Sequence, residues 1–311
     1  MSRVIEVLQT VLPVLMMIGI GMLCRSRKLI SREGINALKN VVVNITLPAV
    51  LLSAFATTKY TVMDVVIPLL MFVVCIAAWV MGKAAARLLH LSSRFVPFLT
   101  TGFEAGMLGY ALFNMLYGAE RTPEFACIDL GQVLFVFTLY KILLGMDSND
   151  KPTASQLIGE MVHSPVIISI LAGVLLGATG LYRALIPSGI SGVFDACVSF
   201  VSAPTSVLIL LSIGYDLVLK DIRWAETCKV IGVRLVIMAV LAAATIGLIS
   251  ALFGFDAALT GAIIVMFILP PPFVLPVFAD DADQRVYVSS ALSVSTLVAI
   301  IGFAILAALG L

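Results

Sequence analysis

Apolar stretches of about twenty residues, the length a helix needs to cross bilayer hydrocarbon, recur along this whole chain. In lipid each backbone N–H and C=O must be satisfied within its own segment, which leaves the helix as the natural solution for such runs. Ten segments lie between charged or turn-rich breaks, near 4–23, 37–58, 62–82, 94–117, 123–144, 162–180, 190–215, 229–252, 256–278 and 285–310. Composition argues the same way. Of 311 residues, 61% are hydrophobic and 12% charged, against roughly 25% charged in a soluble domain. Mean hydropathy is +1.14. A soluble surface cannot be covered from that set of residues. The sequence therefore predicts an all-α polytopic membrane protein.

A net charge of +1 gives no hold for nucleic acid. The first apolar stretch contains Glu6 and ends in Cys24-Arg25-Ser26-Arg27-Lys28 instead of a small-residue cleavage site, so it reads as a retained helix. Five cysteines stand singly, without a CxxC pair, and read as packing residues. Lys and Arg are unevenly shared between the two sets of loops, 15 of 19 falling after the odd-numbered segments. By the positive-inside rule those loops are cytoplasmic. Both termini are then extracytoplasmic, in a cell (inner or plasma) membrane.

Five segments in each half make any repeat across the middle an inverted one. Pro13, Gly19 and Gly21 in the first segment have counterparts in Pro165, Gly173 and Gly177 of the sixth. Pro48 in the second has one in Pro204 of the seventh. The division is residues 1–145 as the first five-helix repeat, 146–160 as a cytoplasmic linker and 161–311 as the second repeat. Segments four and nine are the informative pair. The fourth contains Thr100-Thr101-Gly102-Phe103-Glu104-Ala105-Gly106-Met107-Leu108-Gly109, with a carboxylate among three glycines, and the ninth contains Pro270-Pro271-Pro272. Consecutive prolines remove backbone donors and cannot continue a helix. Interrupted helices at matching places in inverted halves point to a transporter's binding site. The expected site is Glu104, Ala105 and Gly106 facing Pro270, Pro271 and Pro272.

At these residues the chain resembles the auxin efflux carrier family, which includes bacterial malate and malonate permeases. The shared pieces are Leu47-Pro48-Ala49, Gly106-Met107-Leu108-Gly109 with Leu116-Tyr117-Gly118, His163-Ser164-Pro165, and the proline cluster with residues 288–297. The resemblance implies two inverted five-helix repeats related to bile-acid sodium symporters, with broken helices four and nine crossing. It implies a scaffold of helices 1, 2, 6 and 7, a transport domain of helices 3–5 and 8–10 moving by an elevator-like action, a homodimer, and organic-anion substrates. Two positions depart from the pattern: Glu104 stands where the family usually has Asn, and Ala111 where it often has Pro.

Ionisable groups within the segments are expensive and mark function or a buried tie. Glu104 reads either as a proton-coupling or substrate-contacting group, or as a cap on the broken helix. Asp129, one helical face with Gln132, reads either as a coupling group or as a polar tie. Asn44 either lines the site or satisfies the carbonyl left unpaired by Pro48. Gly189-Ile190-Ser191-Gly192 fits an intramembrane-protease nucleophile pattern, but both histidines, His90 and His163, precede Ser191, and a serine needs a base in reach. No catalytic residue, metal site or cofactor is expected. The resulting expectation is a secondary carrier of a small organic anion such as a mono- or dicarboxylate, linked to H+, with Na+ as the alternative coupling ion.

Overall fold

A computed structural model describes residues 2–145, 159, 162–217, 222–279 and 281–310. Helix α1 (Ser2–Ser26) has Arg25 in its last turn, a cation at the negative end of the helix. Ser31 then caps α2 (Arg32–Thr57), its hydroxyl accepting from the Gly34 N–H at 3.1 Å. Within α2 the turn over Val42–Thr46 is widened, the Leu47 N–H reaching back to the Val42 carbonyl. That widening starts a fresh first turn at Pro48, where a missing N–H does no harm. Next come α3 (Met63–Leu88), the short α4 (Val96–Leu99), α5 (Tyr110–Tyr117) and α6 (Ala119–Gly145). The second half holds α7 (Pro165–Ala178), α8 (Ile190–Asp216), α9 (Trp224–Phe253), α10 (Ala257–Ile268) and α11 (Ala282–Leu309).

The described residues are all helix, turn and loop. Seven helices, α1, α2, α3, α6, α8, α9 and α11, are long and apolar enough to cross a membrane, and α7 and α10 are shorter apolar helices. The apolar stretch 94–117 is no single helix, because regular structure lapses between Leu99 and Ala105. The expected linker 146–160 lies outside the described residues except for Gly159. Helix α9 begins at Trp224, five residues before the expected 229, so Arg234 sits well inside it and is buried. Arg234 therefore does not belong with the basic loop charges among which its sequence position places it.

Two sets of helices pack closely within themselves. Helix α1 lies along the second half of α8, and α7 lies on the second half of α2, which the first half of α8 also touches. Glycines set these approaches. A Cβ on Gly21 would strike the Tyr215 backbone nitrogen at 2.7 Å, and one on Gly173 the Leu52 carbonyl at 2.8 Å. Gly173 and Gly177 are thus a helix-contact pair, in the small-residue manner of membrane helices. The other set joins α3 to α6 and α9, α10 to α6, and α9 to α10 and α11. Gly189, in the left-handed region at φ 75°, simply starts α8, and Ser191 lies in that first turn.

Candidate functional site

The two interruptions meet. In the first, α4 stops at Leu99 and Gly102 turns the chain at φ 67°, a left-handed conformation that favours glycine. In the second, α10 stops at Ile268 and Leu269 becomes extended ahead of the three prolines. The Glu104 backbone N–H donates to the Pro270 carbonyl at 2.8 Å, joining the two strands of unwound backbone directly. A Cβ on Gly102 would meet the Pro272 ring at 2.9 Å, and one on Gly109 would meet Leu269 and Phe125 at 2.7 Å. The glycines therefore let the second interruption lie against the first.

Free backbone groups at this crossing are satisfied by two charged side chains. Glu104 is half-buried, and one carboxylate oxygen accepts from the Met107 N–H at 3.0 Å. The other accepts from the Phe273 N–H at 2.5 Å. It thus caps the turn that leads into α5 and also holds the far interruption. Arg234 supplies the opposite sign. Its Nη1 donates to the Leu99 carbonyl at 3.1 Å, while its Nη2 donates to the Gly102 and Leu269 carbonyls, each at 2.8 Å. The guanidinium also lies 5.8 Å from the centre of the Phe103 ring, within cation–π range.

Asp129 sits behind the crossing. It accepts from the Tyr110 hydroxyl at 3.0 Å and from the Gln132 amide at 3.2 Å, and the same amide donates to the Phe103 carbonyl at 3.0 Å. This chain of hydrogen bonds ties α6 to α5 and to the first interruption. Of the residues expected at the site, Glu104, Ala105, Gly106, Pro270, Pro271 and Pro272 are brought to one place. Asn44 is not: it is exposed, donates back to the Asn40 carbonyl at 2.8 Å, and does not line the cavity described next. The widened turn over Val42–Thr46 lies directly ahead of Pro48.

A cavity of about 620 Å³ opens beside the crossing, with Phe273 and Pro276 of the second interruption in its wall. Arg25, Arg32 and Lys39 bring three cations to it, against the one carboxylate, Asp216, among its lining residues. Arg32 pairs with one Asp216 oxygen at 2.6 Å and Lys39 pairs with the other. Arg25 donates to the Tyr215 and Leu217 carbonyls at 3.5 and 3.4 Å. Ser289 and Thr296 of α11 supply hydroxyls on the facing wall. The Arg32 side chain is 60% exposed, so it stands at the mouth. These cations and Arg234 were absent from the expected site. Their position at the ends of apolar segments is the signal of a loop charge, and nothing in the local pattern separates the two roles.

A bilayer-spanning helical chain whose interrupted segments meet beside a charged cavity has the build of a membrane transport protein. Residues 6–307 match the family described as "Membrane transport protein", and the chain belongs to it, the auxin efflux carrier family of transporters. The family carries out transport, not enzymatic chemistry. No curated protein matches the chain significantly.

Proposed function

We propose that the protein is a secondary carrier for a small organic anion, such as a mono- or dicarboxylate, linked to protons through Glu104. The observation that carries this reading is the cavity with three cations to one carboxylate, whose wall includes the residue that hydrogen-bonds Glu104. A cavity of one prevailing sign concentrates ligands of the other. The amides of Met107 and Phe273, now turned to Glu104, are the kind of free N–H donors at broken helix ends that recognise carboxylates. Ionised Glu104 competes with an anionic substrate for those donors. A proton on Glu104 removes its charge, frees one amide for the substrate carboxylate, and couples the two movements.

Ten spans in two inverted repeats, with scaffold helices 1, 2, 6 and 7 and a moving transport domain, form the frame of this proposal. It is supported by the close packing of α1 on α8 and of α7 on α2 in one set and of α3 on α6 and α9 in the other, with α1 on α11 and α2 on α6 as the contacts between the sets. An elevator-like displacement of the second set carries the crossing between the two faces. The excess of Lys and Arg after the odd-numbered segments supports a cytoplasmic mouth for the cavity, in a cell membrane, with Arg25, Arg32 and Lys39 at the entrance. The working unit on this reading is a homodimer. Counterflow in proteoliposomes tests the function. Labelled mono- and dicarboxylates should exchange, and an imposed pH gradient should drive their accumulation. Exchange of amines but no carboxylate would overturn the anion reading, and indifference to pH would overturn the proton link.

A further inference from the structure

We propose that Arg234 is a tethered cation, its guanidinium filling the carbonyl cluster at the crossing where a mobile coupling cation would otherwise sit, so that the carrier works without sodium. The proposal rests on reading the crossing as a carrier's moving centre. Broken membrane helices expose carbonyls, and in transporters such carbonyls together with a few polar side chains coordinate Na+. Three carbonyls of that kind, from Leu99 and Gly102 of the first interruption and Leu269 of the second, here converge on one guanidinium. Arginine fits the place because it carries a permanent charge on a rigid fork of donors.

The charge itself needs an explanation. Arg234 is 4% exposed, and among the described residues no carboxylate forms an ion pair with it. An isolated buried charge is strongly penalised, and a neutral donor would satisfy a carbonyl without that penalty. What compensates it is the set of aligned carbonyl dipoles and the Phe103 ring, the same environment that selects a cation. With Glu104 on the donors and Arg234 on the acceptors, the crossing brings one charge of each sign from its own chain.

Thermal unfolding of the purified full chain, in sodium chloride and in choline chloride of equal ionic strength, tests this. The wild-type midpoint should be the same in both salts. Arg234→Ala should unfold at a lower temperature and recover, saturably and by roughly 5 °C, when sodium or methylguanidinium is added. Arg234→Lys, which keeps the charge without the fork, should lie between the wild type and Arg234→Gln, which should fall well below both. A saturable, sodium-specific rise for the wild type would overturn the proposal. So would an Arg234→Gln midpoint equal to the wild type, or folded Arg234→Ala indifferent to both cations. If Arg234→Ala does not accumulate, the wild-type titration and the Lys and Gln variants still decide. These midpoints stand apart from transport: absence of carboxylate counterflow would sink the carrier reading and leave them unchanged.

Discussion

Glu104 does two jobs with one carboxylate, and the two are separable by substitution. Gln at this position keeps one accepting oxygen and presents an amide to the other N–H, so one of the two bonds to Met107 and Phe273 is lost. The expected penalty is about 1–3 kcal/mol, small enough for Glu104→Gln to fold, and its thermal midpoint should show only that modest drop. Proton-driven uptake should disappear in the same variant, while downhill exchange persists. Uptake still responding to a pH gradient would remove the proton role. Gly102 makes a different kind of claim. Alanine there must take a left-handed conformation at about 1–2 kcal/mol and push on the Pro272 ring at 2.9 Å. Gly102→Ala should therefore lower the unfolding midpoint more than Gly106→Ala, whose Cβ meets Leu47 at an ordinary 3.4 Å. Equal midpoints for the two would contradict the packing of the crossing.

Elements follow from the chain to very different degrees. The interruptions were legible because three prolines and a glycine-rich run break a helix by covalent structure alone, whatever surrounds them. The seven long helices were legible because lipid demands a length that hydropathy can measure. The widened turn ahead of Pro48 was not, since no residue type in Val42–Thr46 dictates it, and Asn44 was drawn into the site by its place one turn before Pro48. Arg234 was missed for a related reason. A cation near the edge of an apolar window looks like a loop residue until the helix is seen to begin at Trp224. The contact between α2 and α7 gives an element-scale prediction. Gly177→Leu drives a side chain toward the Tyr60 ring, 2.8 Å from the added Cβ, and toward the backbone of α2. Such overpacking typically costs about 1–3 kcal/mol, and the variant should unfold earlier without changing the response of transport to pH. A pH response altered with stability intact would place this contact in the coupling machinery.

At the scale of the whole molecule, the proposed sliding of one helix set past the other makes a mechanical prediction. Leu47 lies in one set, and Gly106 belongs to the first interruption, against which it packs. Cysteines at these two positions, in a background lacking the five native ones, should be joined by a short bifunctional thiol reagent. Exchange should then stop, whereas the same reagent should leave each single cysteine variant active. Continued exchange after complete cross-linking would mean that the two sets do not move past one another there. The ion pairs at the cavity mouth carry a further implication. Arg32 and Lys39 each hold a different oxygen of Asp216, so the chamber arrives with a resident of its own already seated. A visitor has to offer two well-spaced oxygens to unseat it, and a round halide offers one point at a time. Replacing chloride by bromide or iodide in the medium should leave the carrier's turnover untouched, which lets it ignore single-point anions and answer only to guests with two hands.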